Sequence, residues 1–183
     1  ALDKWAEDFK PADLREKQGF DIFMRFYWKT DSEFFLDFEK NLDKYKKLHA
    51  EEHGADKIEE KYYRAWLGTL TRAVYKKNQE SYDLAVEKIG EGGGKEVQTN
   101  LRAILIGQEA INNSPEAAHA MITQLLDDGK HIDPITLNQY AWGIYENEEI
   151  TDPAVIKEAM RWIEIACDDM YDSALLDTWA MLL

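Results

Sequence analysis

Three of the four proline residues in this 183-residue chain stand where an α-helix would begin. Ser114, Asp133 and Asp152 each directly precede a proline, and serine and aspartate are preferred helix N-capping residues. Proline is tolerated at the first helical position because its missing N–H has no intrahelical partner there. These pairs predict three helix starts, and Asp172-Ser173, ahead of an apolar run, predicts a fourth without a proline.

The four predicted starts are regularly spaced, at distances of 19, 19 and 20 residues. This spacing leaves helices of about 14 residues joined by short turns. Two such helices make a unit of about 38 residues, a period that is typical of helix-pair repeat arrays. The C-terminal part of the chain is therefore predicted to be a stack of antiparallel helix pairs.

Apolar residues also recur at helical spacing upstream of residue 114, but less regularly. One stripe runs from Asp31 to Gly54, a second starts at Lys57, a third ends before residue 90, and a fourth starts at Val97. No segment alternates apolar and polar residues as a half-buried strand would. We therefore expect an all-α fold, irregular over residues 1–113 and regular over residues 114–183, with both parts in one continuous body.

The turn GEGGGK, at residues 90–95, departs from a phosphate-binding loop in three ways. Only three residues separate Gly90 from the Gly-Lys pair instead of four, Glu96 follows the lysine, and a predicted helix precedes the turn instead of a strand. We interpret it as a flexible turn between two helices.

The segment FDIFMRFYW, at residues 20–28, is apolar on almost every helical face. Such a helix does not lie on an ordinary surface, so it is expected either in the core or under another domain. A different hypothesis places a pocket among the aromatic residues between Phe20 and Phe38. The chain would then be an all-α small-molecule-binding or catalytic domain.

Candidate metal-ligating residues form no recognisable set. His49 and His53 lie one helical turn apart, a spacing that could present two imidazoles to zinc, but Gly54 ends the helix there. His53 is better explained as a C-terminal residue interacting with the helix dipole. We expect no metal and no cofactor.

The sequence also offers no catalytic constellation. Asp127-Asp128 and Asp168-Asp169 are neighbours in sequence, so on a helix their side chains point about 100° apart. The single cysteine, Cys167, cannot belong to a Cys-x-x-Cys pair within this chain and is expected to pack as a small apolar residue. We expect no catalytic residues, and hence no enzymatic activity in this chain.

The formal net charge is −14, and residues 109–183 carry nearly all of the excess negative charge. Such a surface repels phosphate backbones and anionic lipid, which argues against a nucleic-acid partner. No apolar run reaches the length of a membrane span, so membrane insertion is not expected either. The acidity is explained either by solvation of the surface or by a partner with a basic surface.

Residues 115–183 resemble tetratricopeptide (TPR) repeats in the spacing of LNQYAWGIY, EAMRWIEIACDD and LLDTWAMLL. The first-helix pattern matches Leu137, Tyr140, Ala141 and Ile144. The second-helix pattern matches Ala159, Ile163 and Ala166. The first-helix pattern then starts again at Leu176, Trp179, Ala180 and Leu183. Two features depart from the pattern: the turn NEEITD lengthens the unit, and Tyr171 stands where a TPR usually has proline. The resemblance implies a TPR-like α-α superhelix, whose first helices line the partner-binding face. On that face it places Asn138, Trp142, Tyr145 and Asp177.

The same stretch, together with EKYYRAWLGTLTRAV, is similar to the helical region that follows the thioredoxin-like domain in certain secreted bacterial thiol-disulfide proteins. Because the chain lacks an initiating Met and stops at Leu183 within an apolar run, we interpret it as a piece of a longer protein. The resemblance implies a periplasmic or secreted parent with its Cys-x-x-Cys upstream of Ala1. The expected function is a non-enzymatic protein-interaction or scaffold module. Its partner would be the parent's own thioredoxin-like domain or another protein.

Overall fold

The computed structural model describes residues 10–26 and 29–183. Tyr27 and Trp28, the end of the aromatic segment, lie outside the described residues. A 3₁₀ helix at Pro11–Arg15 is followed by ten described α-helices, which are α1 (Lys17–Arg25), α2 (Glu33–Lys40), α3 (Leu42–His53), α4 (Ala55–Lys76), α5 (Gln79–Ile89), α6 (Gly94–Asn112), α7 (Pro115–Asp127), α8 (Pro134–Glu146), α9 (Pro153–Asp169) and α10 (Ser173–Leu182). No described residue is in a strand, and the all-α prediction is confirmed.

The chain divides into two compact units, Ala1–Gln98 and Thr99–Leu183, and the division falls within α6. The boundary at residue 113 and the arrangement of both parts as one body stay predictions.

The first unit is organised around α4, which packs against α3 and α5, while α1 and α2 pack against the 3₁₀ helix. Its core is aromatic: Phe20, Phe23, Phe35 and Phe38 are fully buried. The ring of Phe20 stacks on His49 with centroids 4.0 Å apart. Of the two positions expected for the aromatic segment, Phe20 and Phe23 take the one in the core, whereas Phe26 is 42% exposed.

The stripe from Asp31 to Gly54 was expected to be one helix, but the structure breaks it at Asn41. The Asn41 side-chain amide donates to the backbone carbonyl of Asp37, 2.9 Å away, and to its carboxylate, 3.2 Å away. Asparagine side chains compete with backbone hydrogen bonds in this way and favour helix ends over helix interiors. The chain therefore turns between α2 and α3.

All four helix starts predicted in the second unit are confirmed. The capping oxygens of Ser114, Asp133, Asp152 and Asp172 accept hydrogen bonds from backbone N–H groups at 3.2, 3.0, 2.9 and 2.8 Å, in that order. These bonds satisfy N–H groups that have no partner within the helix, which is why the starts could be located from sequence alone.

The second unit packs α9 against both α8 and α10, and α10 also packs against α8. This is the contact order of a helix pair followed by the first helix of the next pair, and the winding of such pairs into a TPR-like superhelix stays a prediction. The unit has a core cluster composed of Ile106, Ala118, Ile122, Ile132, Leu137, Ala141, Ile144, Ala159, Trp162, Ile163, Ala166, Leu175 and Leu182.

The buried face of α10 differs by one residue from the TPR-like alignment. The alignment expects Leu176, Trp179, Ala180 and Leu183 in packing positions, whereas the structure buries Leu175, Thr178 and Leu182 and leaves Leu176 and Trp179 half-buried. Ala180 and Leu183 are exposed. Helix α10 is thus rotated relative to that expectation, because its neighbours α8 and α9 determine which face is covered.

Candidate partner-binding surface

Three of the four predicted partner-binding residues lie on one face of α8. Asn138, Trp142 and Tyr145 follow one another at intervals of four and three residues, so their side chains project from the same side of the helix. The rings of Trp142 and Tyr145 are in contact, with centroids 5.2 Å apart. Tyr145 is 42% exposed, and Ile135, three residues before Asn138, is 56% exposed. We call this set, Ile135, Asn138, Trp142 and Tyr145, the α8 face.

The α8 face contains a polar atom that the described residues leave unsatisfied. Oδ1 of Asn138 is buried and accepts no hydrogen bond from any described group. A buried acceptor without a donor costs about 1–3 kcal/mol. The face therefore combines exposed aromatic area with an unmet acceptor.

The fourth predicted residue, Asp177, is on the exposed side of α10, a helix that packs against α8. No described contact joins its carboxylate to the α8 face. The structure thus brings Trp142 and Tyr145 together, keeps Asn138 one turn away from Trp142, and leaves Asp177 on the neighbouring helix.

Sequence analysis missed a second surface in this unit, a groove of about 590 Å³ between α7 and α9. Trp162 lies at its floor and is only 1% exposed, and Ala120 and Ala154 face solvent along it. His119 also lines the groove, with its ring 5.6 Å from that of Trp162. Burial lowers the pKa of His119, which keeps the imidazole neutral near pH 7. Only the small size of Ala120 and Ala154 hinted at this opening, since small residues on neighbouring helices leave space between them.

The first unit contains a cavity of about 650 Å³ lined largely by polar and charged residues of α2, α4, α5 and the segment after residue 28. Arg72 donates to the hydroxyl of Thr69 at 2.9 Å, and Lys88 pairs with Glu39 at 2.8 Å. The aromatic residue in its wall is Trp66. The rings of Phe20, Phe23, Phe35 and Phe38 do not line it and are buried against one another instead.

The two histidines that could have formed a metal site have separate partners. Nε2 of His49 lies 3.0 Å from the carbonyl oxygen of Leu14, and Nε2 of His53 lies 2.8 Å from the carboxylate of Asp21. Within residues 10–26 and 29–183, no group of three or more His, Cys, Asp or Glu side chains is placed to hold a metal ion. Each imidazole instead ties α3 to the segment in front of it.

The adjacent carboxylates likewise serve different contacts. Asp127 pairs with Arg161, and Asp169 pairs with His131 at 2.7 Å. Cys167 is half-buried against the core, and burial raises the pKa of its thiol. A raised pKa favours the protonated thiol over the reactive thiolate.

None of the helices in the part of the chain that the structure describes is both long and apolar enough to cross a membrane. No family model, curated protein or solved structure matches this chain.

Proposed function

We propose that this chain is a non-enzymatic protein-interaction or scaffold module, and that it is the accessory helical region of a thioredoxin-family protein exported to the periplasm or secreted. The observation that supports the interaction role is the α8 face. Trp and Tyr are the residues most often found at energetic hot spots of protein interfaces, because they bury a large area at a small cost in side-chain entropy.

The α8 face has the chemical make-up of such a hot spot. The contacting rings of Trp142 and Tyr145 restrict each other's motion, so a partner would meet a largely preformed surface. Ile135 lies two turns before Trp142 and lengthens the stripe to almost three turns of α8, with Asn138 between Ile135 and Trp142. We propose that a partner covers this stripe and buries the rings of Trp142 and Tyr145.

The thioredoxin context rests on the sequence resemblance, and the first test is the parent sequence upstream of Ala1. A Cys-x-x-Cys that follows a strand pattern there supports the proposal, and its absence removes the thioredoxin context. If it is present, the upstream domain can be produced separately and titrated with the helical chain by isothermal titration calorimetry.

In that titration, Trp142→Ala and Tyr145→Ala should each weaken binding by about 30-fold, equivalent to about 2 kcal/mol. Gln139→Ala is the matched control, because Gln139 is exposed on the same helix but outside the α8 face. It should change the affinity less than twofold. Unchanged affinity in both aromatic variants would contradict the proposal, and loss of the helical circular dichroism signal would mean that these residues are structural.

A second candidate function is small-molecule binding in the cavity of the first unit. Its volume, about 650 Å³, falls in the usual range for ligand sites, and both charged and apolar groups line it. Thermal-shift screening of small charged organic compounds tests it. A ligand whose stabilising effect is lost in Lys76→Ala, a change at an exposed residue of the cavity wall, would favour this function over the first.

A further inference from the structure

The groove between α7 and α9 is a candidate binding site separate from the α8 face. Its apolar lining comes from Ala120, Ile150, Ala154, Val155 and Trp162. All of these belong to the second unit, so the groove is complete within one compact body. An apolar opening of this kind favours an occupant that supplies a large apolar side chain.

Trp162, which lines the groove, carries an unmet hydrogen-bond donor. The indole Nε1 of Trp162 is buried and has no acceptor among the described residues. Buried donors without acceptors are uncommon in folded proteins and call for an explanation. The indole nitrogens of Trp66 and Trp179 are also buried without an acceptor among the described residues, so this feature is not specific to the groove.

The rim of the groove is acidic. Glu116, Asp127 and Glu158 line it, and no Lys or Arg is among its described lining residues. Hydrogen bonds to its own backbone amide and to Ser114 lower the pKa of Glu116, so this carboxylate is ionised at neutral pH. Arg161, just outside the groove, pairs with both Asp127 and Glu158. Arg161 therefore holds two of the three acids in position and offsets part of their negative charge, which leaves a net negative rim.

The surroundings strengthen the negative potential. Residues 99–183 contain 15 Asp and Glu against 4 Lys and Arg. Anionic occupants, such as fatty acids, acidic membranes and nucleic acids, would be repelled from a groove with such a rim. A cationic occupant with an apolar anchor would be attracted.

We propose that the α7–α9 groove binds a basic amphipathic helix of a partner protein, which inserts one large apolar side chain between Ala120 and Ala154 and places Lys or Arg opposite Glu116, Asp127 and Glu158. Helix-in-groove recognition uses apolar anchors on one helical face, and charge complementarity at the rim sets orientation and association rate. This site lies on other helices than the α8 face and does not depend on the function proposed for it.

The proposal can be tested with a panel of synthetic helical peptides. Each carries an apolar stripe of Leu with one central Leu, Ile, Met, Phe or Trp anchor, and the remaining positions are Lys in one series and Glu in the other. Binding to the whole chain is measured by fluorescence anisotropy in 150 mM NaCl, where the Debye length is about 8 Å and distant charges are screened. At least one Lys peptide should bind with a dissociation constant below about 100 μM, and the Glu peptides should bind at least tenfold more weakly.

Two variants with matched controls locate the site. Ala120→Trp fills the groove and should weaken the best Lys peptide at least tenfold, whereas Ala180→Trp, at an exposed position of α10, should change affinity less than twofold. Gln124→Lys adds a positive charge to the rim and should weaken binding at least threefold, whereas Gln139→Lys on α8 should not. Ala120 and Gln124 line the groove, whereas Gln139 and Ala180 do not. All four residues are exposed, so each variant is expected to fold.

Several results would overturn the proposal. These are no binding by any Lys peptide at 1 mM, equal binding of the Glu series, or retention of full affinity by both Ala120→Trp and Gln124→Lys. Sedimentation of the chain alone can give another such result. If the chain is a dimer that Ala120→Trp dissociates, the occupant of the groove is a second copy of the chain. Binding to phosphatidylglycerol vesicles that Ala120→Trp abolishes would make a membrane the occupant. Trp142→Ala should leave the Lys-peptide affinity unchanged, which separates this site from the α8 face.

Discussion

Trp162 offers the sharpest test of the packing described for the second unit, because one substitution removes the whole indole and another removes its unmet donor while keeping an aromatic ring. Its side chain is 1% exposed and belongs to the core cluster. Its Nε1 has no acceptor among the described residues. We predict that Trp162→Phe changes the free energy of unfolding by less than about 1 kcal/mol, whereas Trp162→Ala lowers it by about 3–5 kcal/mol.

The magnitudes follow from two opposing contributions. Phenylalanine is smaller than tryptophan, so Trp162→Phe loses about 1–2 kcal/mol of burial and leaves a small cavity. The same change removes a buried N–H that is unsatisfied at a cost of about 1–3 kcal/mol. The two effects nearly cancel. In Trp162→Ala the loss of apolar burial is much larger, and relief of the unmet donor offsets only part of it.

The assay is native-state hydrogen exchange of amides in α8 and α9, read under urea. Amides within this unit report its own opening, which matters because the chain has two compact units that need not unfold together. A loss of more than about 2 kcal/mol in Trp162→Phe would refute the reasoning, since it would mean that the indole N–H makes a bond of value in the folded state. A loss below about 1 kcal/mol in Trp162→Ala would show that the ring is not in the core.

Three further predictions address local structure. Asp133→Ala should lower the stability of the second unit by about 1 kcal/mol, because the N-cap hydrogen bond to Thr136 is lost. Urea unfolding followed by circular dichroism measures this loss, and unchanged stability would contradict a stabilising role of the cap. Gly93→Ala should lower the free energy of unfolding by about 2 kcal/mol or more, because Gly93 has φ +81° and a Cβ there would lie 2.6 Å from the Val97 side chain. Gly143→Ala on α8 meets open space and should instead raise it by about 0.5–1 kcal/mol. Thermal unfolding of both variants measures the difference, and equal shifts in melting temperature would refute it. Burial lowers the pKa of His49 below its ordinary value of 6.5, so below about pH 6.5 the unfolded chain binds more protons than the folded one, and the stability of the first unit should drop there. Hydrogen exchange of α3 amides between pH 7.5 and 5.5 measures this drop. If His49→Gln shows the same dependence of stability on pH, the effect belongs to other groups.

The α8 face was largely accessible from the sequence, while the α7–α9 groove was not. Asn138, Trp142 and Tyr145 share a face because of their spacing alone, which is a property of any α-helix. The groove required knowing that Ala120 on α7 and Ala154 on α9 line the same opening. These positions are 34 residues apart in the sequence, and their spacing alone does not show that a gap is left between the two helices.

The sequence by itself determined where the helices of the second unit begin. Ser114, Asp133, Asp152 and Asp172 each bond to an N–H within three residues, so the information for each start is contained in one turn of chain. Only the tertiary structure decided which face of α10 is buried. The apolar pattern of α10 allows two neighbouring stripes, and the side chains of α8 and α9 select the one through Leu175, Thr178 and Leu182 because burial depends on neighbours that are distant in sequence.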